Sequence, residues 1–413
     1  MSKATLREVL ESIKPSDGEI KKEQEFARKI IKKLRVEGGK TVLTGSVAKK
    51  TFLKKGRDLD VFVLFQKNVK KSSFEKIIKN AVEKSFPKEK YEIRYAEHPY
   101  VRLYIEGRKI DVVPAYQIKK AEERLSAVDR SVLHTKYILR NLEKVDDVLL
   151  LKQFLKSNGM YGAEIKVEGF SGYLCELLII KYGSFVKLLK NAVRWKSPVI
   201  IDIEKYWKRK DELEKRFDCP LIVIDPTDKN RNVAAALSEK NFKKFISKAR
   251  LFLKNPKKEM FFKEENIKKK IERMKKKGNA YFVKFKTPEI VDDVLWGQLK
   301  KLSKNIETFL KEFEVLEMLL YSDSEKTLVV FRVRNEKLPE KKKVRGPFKH
   351  LEKNVKEFRK VHKKIFFREG RAYAVEKRRL RDVEKALKEF FKNGKSVPSR
   401  FKKLKVQAGK VNK

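Results

Sequence analysis

The stretch GSVAKKTFLKKGRDLDVFVLF, residues 45–65, joins a glycine–serine pair to an apolar strand with two carboxylates, Asp58 and Asp60, at its entrance. Residues i and i+2 of a strand face the same way, so Asp58 and Asp60 share a face and Leu59 points to the other. Carboxylates this close repel and raise each other's pKa unless a cation lies between them. A third acid, Asp111 in GRKIDVVPAY, follows another strand-like stretch. Upstream, Gly45-Ser46 opens a predicted helix that runs to about Leu53. Free N–H groups and the helix dipole favour phosphate there, Gly45 permits close approach, and Ser46 adds a hydroxyl. Taken singly, each feature has an ordinary structural reading: a capped turn, a chance acid pair, a solvated strand end. Together they fit one chemistry. Hard divalent cations such as Mg²⁺ take oxygen ligands and bridge substrate phosphates, and a pair of them can activate an attacking hydroxyl and stabilise leaving pyrophosphate.

Composition limits the partners. The 413 residues exceed one ordinary core and predict two to four domains. Hydrophobic residues at 41% and aromatics at 10% suffice for real cores. Lys+Arg 104 against Asp+Glu 56 leaves +48, a field that attracts polyanions. Nucleic acid is favoured over membrane, because no stretch approaches the roughly 20 apolar residues of a transmembrane span. MSKATLREVLESIKPSDGE lacks the apolar core of a signal peptide, and a cytoplasmic protein is expected. Cys175 and Cys219 read as core thiols, with neither a disulfide framework nor a zinc cluster. Charged residues at 39% also suit a hot environment. Heat adaptation adds both signs, whereas this excess is one-sided.

The patterns predict an α+β multidomain chain. Residues 4–35 are helical, with Ser16 and Glu19 forming a capping box. KTVLTG is a short strand, DLDVFVLF a buried strand, and SSFEKIIKNAVEKSF a helix. YEIRYAEHPYVRLYIEGRKIDVVPAY reads as two or three strands with a turn near Glu106-Gly107. From Val145 to about Asn255 the pattern is helical. Beyond it, NAYFVKFKTPEIVDDVLWGQLKKLSKNIETFLKEF is a strand and helix. EVLEMLLYSDSEKTLVVFRV is a hairpin turning around Ser322–Glu325, which suggests a small sheet with helices on one face. The last 65 residues alternate helix with basic loop, and RFKKLKVQAGKVNK reads as flexible. The aromatics of AYFVKF and LVVFRV read as core rather than as a base-stacking platform.

The order of these features resembles the nucleotidyltransferase superfamily that includes poly(A) polymerases. GSVAKKTFLKKGRDLDVFVLF, YAEHPYVRL, IDVVPAY, DRSVLHTKYI, LLKQFLKSNGMYGAE, GFSGYLCELLI and DPTDKNRNVAAALS, in this order, resemble the archaeal, class I CCA-adding enzymes over nearly the whole chain. The resemblance implies template-independent addition of CCA to tRNA 3′ ends from CTP and ATP, with two Mg²⁺ ions and release of pyrophosphate. It implies a nucleotidyltransferase-type mixed-sheet head (1–144), a helical neck (145–257), and a small basic α/β body and tail (258–413) that grips the tRNA acceptor and TΨC stem. A homodimer is compatible with it. Asp58, Asp60 and Asp111 match the metal-binding catalytic triad. Gly45, Ser46 and Lys49 match the triphosphate-contacting helix start, with Lys49 where relatives are expected to carry arginine. His134, Lys152 and Tyr161 match further triphosphate and sugar contacts, and Glu97 and His98 lie near the incoming base. Arg231 matches an arginine that reads the base edge together with the RNA. His134, Lys152 and Tyr161 are otherwise ordinary helix residues, and only the resemblance singles them out. His350 and His362 sit in basic helices without a role.

Two other readings compete. A poly(A) polymerase-like enzyme keeps the same triad and phosphate site, and DPTDKNRNVAAALS with the long basic C-terminal region favours CCA addition. A non-catalytic RNA-binding protein needs only the charge, and three retained acids in so basic a chain argue against it.

Overall fold

The computed structural model describes residues 3–411 apart from 55, 57, 96, 97, 263–265 and 363. The chain is an α+β protein of two compact units, Met1–Glu264 and Glu265–Lys413.

The first unit begins with α1 (Lys3–Ile13) and α2 (Asp17–Lys33), separated at Pro15. Ser16 caps α2 as predicted. Its hydroxyl accepts from Glu19 N at 3.2 Å, and the Glu19 carboxylate accepts from Ser16 N at 2.9 Å. A cap of this kind contributes about 1 kcal/mol. β1 (Gly39–Thr44), a short α3 (Gly45–Ala48), β2 (Leu59–Phe65), α4 (Phe74–Ser85), β3 (Lys90–Tyr95), β4 (Pro99–Ile105) and β5 (Arg108–Tyr116) follow. The strands form a sheet in the order β1-β2-β5-β4-β3, in which only β2 and β5 run parallel.

β2 is apolar on both sides because both faces are covered. Leu59, Val61, Val63 and Phe65 pack with Phe26 and Ile30 of α2 and with Phe74, Ile78 and Val82 of α4. Phe62 and Leu64 pack on the other face with Ala115, Val128 and Val132. Asp60 and Asp111 occupy this second face at the end where the apolar cover stops, paired to each other across the parallel strands. The helix expected from Gly45 to about Leu53 ends after one turn, at Ala48. Lys50 adopts φ +58°, and its N–H and that of Thr51 close onto Val47 O and Ser46 O. That closure turns the chain away from the helical path.

α5 (Ser131–Asn141), α6 (Val145–Ser157), α7 (Gly172–Tyr182) and α8 (Phe185–Ala192) are the helices expected before residue 195. The expectation of an all-helical pattern to Asn255 is corrected by β6 (Val199–Ile201), α9 (Lys210–Arg216), β7 (Leu221–Asp225) and β8 (Asp228–Asn232). The three strands form a small sheet, ordered β6-β7-β8, whose short runs of buried Val and Ile suit strands. α10 (Glu239–Lys254) starts behind a Ser238 cap, and residues 233–236 are turns rather than helix. The rings of Phe154, Phe185, Phe252 and Phe261 all meet one another, with centroids 5.6–5.8 Å apart.

In the second unit α11 (Ile267–Lys276) precedes β9 (Ala280–Lys286), α12 (Asp292–Phe309) and the predicted hairpin of β10 (Val315–Ser322) and β11 (Lys326–Val333). The Asp323 carboxylate closes the turn by accepting from Glu325 N and Lys326 N. The closing residues differ from expectation. β12 (Lys341–Phe348) precedes α13 (Glu352–Val361), a helix as expected, and β13 (Ile365–Arg368) and β14 (Arg371–Lys377) then join β12 in a second, three-stranded sheet where loop was expected. After α14 (Val383–Asn393), the segment expected to be flexible forms β15 (Gln407–Lys410), antiparallel to β9. Backbone pairing captures it even though its side chains are mostly polar. Tyr281, Phe285 and Phe331 are core residues, packed with Leu299 of α12 and Phe390 of α14.

Phe154 is fully buried among three other rings. Phe154→Ala is expected to destabilise the first unit by about 3–5 kcal/mol, measured as a lower urea midpoint. An unchanged midpoint would mean that the ring cluster does not support this core.

Candidate active site

The acids meet through backbone pairing. β2 and β5 run parallel with Asp60 opposite Asp111, while Asp58 is exposed just before β2. Asp60 also lies opposite Thr44, whose hydroxyl donates to Asp60 O at 3.2 Å. The next residue, Gly45, has φ +69°, and a Cβ there would sit 1.8 Å from Asp60 Oδ2. Any side chain at position 45 would displace the carboxylate. Burial pushes the Asp60 carboxyl up to about 6, and the charges of Asp111 and Asp58 add to the rise against the lowering by Lys49 and Arg102. Asp111 is differently placed. Arg102, its cross-strand neighbour on β4, grips it with two bonds of 2.7 and 2.8 Å.

Among the described residues no three metal-type ligands converge into a ready cage. The donor set itself is hard oxygen, the chemistry that Mg²⁺-like ions select. The raised Asp60 carboxyl marks a buried acid whose desolvation, with the charges of Asp111 and Asp58 added, outweighs the lowering by Lys49 and Arg102. These residues fit a divalent cation.

Lys49 follows α3 and reaches Glu176 Oε2 of α7 at 2.5 Å. Glu176 is fully buried, and its other oxygen accepts from Thr51 Oγ1 at 2.6 Å. The ammonium of Lys152, on α6, donates to Thr51 O at 2.9 Å and lies 3.4 Å from Glu176 Oε1. Burial lowers the Lys152 pKa. Burial would raise Glu176, but the neighbouring Lys152 and Lys49 override it and hold the carboxyl below its usual range. A Cβ on Gly172 would lie 3.1 Å from the Tyr161 hydroxyl and 3.6 Å from Lys152 Nζ, so Tyr161 borders this cluster. Burial raises the Tyr161 phenol.

A third group gathers around Asp225. His134 Nε2 lies 2.8 Å from Asp225 Oδ2, and Arg231 donates to the same oxygen at 2.9 Å. The His134 ring stacks on Tyr173 with centroids 4.1 Å apart, and the Tyr173 hydroxyl donates to Asp225 Oδ1 at 3.1 Å. Burial lowers the His134 pKa despite that carboxylate. Lys49 lies 6.0 Å from the Tyr173 ring centroid, which links the second group to the third.

His98 stands apart. It packs edge-on against Phe74, whose ring belongs to the core on the sheet face away from Asp60. Glu97 lies outside the described residues. Sequence reasoning passed over Thr51, Arg102, Tyr173, Glu176 and Asp225. Glu176 alone carried a signal: a single acid inside the apolar run LCELLII.

Three family models match in succession: "Nucleotidyltransferase domain" over residues 25–134, "tRNA nucleotidyltransferase, second domain" over 146–262, and "CCA-adding enzyme, C-terminal domain" over 276–409. A curated CCA-adding enzyme of Sulfurisphaera tokodaii is 38% identical over 388 residues, covering 92% of this chain and 90% of that one. A CCA-adding enzyme of Methanocaldococcus jannaschii is 38% identical over 392 residues, covering 90% and 87%. Among solved structures, a cytoplasmic RNA terminal U-transferase matches 64% of this chain and 100% of its own, with TM-score 0.50 and 16% identity. A terminal uridylyl transferase matches with TM-score 0.51 and 14% identity, covering 64% and 99%. These two likenesses concern the fold.

The raised Asp60 carboxyl has a consequence for stability. Its pKa is 3.8 unperturbed and about 6 when folded. Ionising it therefore costs folding free energy as pH rises between these values, and above about 6 the cost is fully present. Asp60→Asn is expected to raise the melting temperature at pH 8 and change it little at pH 3. Mg²⁺ at pH 8 should stabilise the parent chain more than the variant. Equal melting shifts at both pH values would show that Asp60 is not crowded.

Proposed function

This chain belongs to the CCA-adding enzymes, and from that membership we propose that its three clustered groups divide one nucleotidyl transfer among them. CCA-adding enzymes extend tRNA 3′ ends without a nucleic-acid template, and this chain does so. Nucleoside triphosphates are its substrates, and divalent metal serves the family generally. The observation that carries the finer reading is the pairing of Asp60 with Asp111 beside Gly45.

Asp58, Asp60 and Asp111 are the residues that would hold Mg²⁺. Bound there, the metal supplies activation of the RNA 3′ hydroxyl and stabilisation of departing pyrophosphate. Gly45 and Ser46 offer backbone and hydroxyl donors to the triphosphate. Lys49 and Lys152 bring positive charge to it, and the buried Glu176 carboxylate, 2.5 Å from the Lys49 ammonium and 3.4 Å from that of Lys152, fixes where both point. His134 and Tyr161 border the triphosphate and sugar. Arg231 presents a planar set of donors to the base edge. Glu97 and His98 are assigned near the incoming base from the resemblance alone. In this reading residues 1–144 are the catalytic head and 145–257 the neck. Residues 258–413 are the body and tail that grip the acceptor and TΨC stem, through phosphates and A-form shape.

Asp60→Ala and Asp111→Ala are each expected to abolish incorporation of both C and A while leaving tRNA affinity within about twofold, since the acids serve the chemistry and not the RNA grip. The assay incubates tRNA lacking its CCA end with each labelled nucleotide and sequences the products. Runs of A would instead favour a poly(A) polymerase-like enzyme, and no incorporation by the parent chain a binding protein.

Arg231→Ala is expected to lower the preference for CTP over UTP about tenfold or more while changing overall triphosphate affinity less. An unchanged preference removes Arg231 from base reading. For the tRNA grip, affinity should fall steeply between 50 and 200 mM salt, by about 10³-fold or more if six or more phosphates are neutralised. A flat salt dependence would leave the lysine excess to thermal stability alone.

A further inference from the structure

Asp225 is a fully buried acid at the end of β7, and every group that meets it is a donor. Arg231 and His134 meet Oδ2 at 2.9 and 2.8 Å. Tyr173 OH, Thr227 N and Thr227 Oγ1 meet Oδ1 at 3.1, 2.9 and 2.9 Å. Five donors and no acceptor match an ionised carboxylate, which only accepts. An asparagine of the same shape would turn an NH₂ group onto at least two of these donors. The bonds on Oδ2 come from residues on α5 and β8, far apart in the chain.

We propose that Asp225 is a positioning residue for nucleotide choice, acting by fixing the Arg231 guanidinium against the His134–Tyr173 stack. The inference rests on the reading of Arg231 as the base-contacting residue. A free arginine samples many rotamers and offers its donors in many directions. Discrimination between bases needs the donor fork aimed before the base arrives. Asp225 engages Arg231 through one terminal nitrogen, Nη1, and no protein group among the described residues takes the other N–H groups. Side-chain exposure of 32% leaves them open to a ligand. From the other side, the Tyr173 hydroxyl and the Thr227 turn hold the carboxylate itself through Oδ1. The base reader is thus held in place by a charge that no solvent reaches.

The test measures kcat/KM for CTP and UTP on tRNA lacking its CCA end, and the inhibition constant of inorganic tripolyphosphate, with the full chain. In Asp225→Asn the CTP-over-UTP ratio is expected to fall about tenfold, while tripolyphosphate inhibition shifts less than about threefold. A merely structural role would lower the melting temperature and both kcat/KM values by one common factor, leaving the ratio intact, and would overturn the proposal. Should Asp225→Asn not fold, Thr227→Val keeps the charge and removes one donor from Oδ1. Its ratio should fall about two- to threefold, and an unchanged ratio overturns the proposal. Arg231→Ala separates the premises. If it retains the preference, base reading by Arg231 fails and the inference with it. If it loses the preference and Asp225→Asn does not, only the positioning role fails.

Discussion

Two carboxylates that repel each other are held side by side by the backbone hydrogen bonds between β2 and β5. The repulsion acts on side chains and the restraint on main chain, while Arg102 answers the charge of Asp111 with its paired bonds. Most of the first unit serves that arrangement. α2 and α4 cover one face of β2, the start of α5 and the turn before it cover the other, and the cover stops short of Asp60. Gly45 completes it by leaving out the single atom that would push the Asp60 carboxylate aside. The strand pairing is therefore both the scaffold of this corner and the reason Asp60 and Asp111 stay together.

Positive charge is treated in the opposite manner. Lys49 and Lys152 share the buried Glu176, and Arg231 and His134 share the buried Asp225. A buried ion pair contributes little net stability, because desolvation offsets the attraction. What each pair does contribute is direction. In a chain carrying +48, single buried acids decide where a few basic side chains aim, as Glu23 does for Arg108 and Asp228 for Arg130.

The sequence made part of this legible. The apolar run of β2, the capping box at Ser16 and the hairpin at Asp323 follow from local pattern, and pattern survives into the structure. The shared strand face expected for Asp58 and Asp60 is not what the fold uses: Asp58 lies just before β2, and Asp60 instead meets Asp111 across the parallel pairing of β2 and β5. The small β6-β7-β8 sheet escaped because strands of three to five residues carry too few periods to stand out between helices. β15 escaped for another reason: its pairing with β9 is made by backbone, which side-chain pattern does not report. Tyr173, Asp225 and Arg102 gained meaning only from neighbours distant in sequence. Asp225 lies 91 residues from His134, and no spacing rule links them.

Tyr173 and Glu176 lie three residues apart on α7, one turn of the same helix. Through Glu176 the helix meets Lys49 and Lys152, and through Tyr173 it meets His134 and Asp225. α7 therefore works as one lever with two loads. Any shift of this helix would move the Glu176 cluster and the Asp225 cluster together, so neither could slacken while the other stayed tight. Two sets of buried charge, drawn from segments far apart in the chain, thus share a single rigid mount.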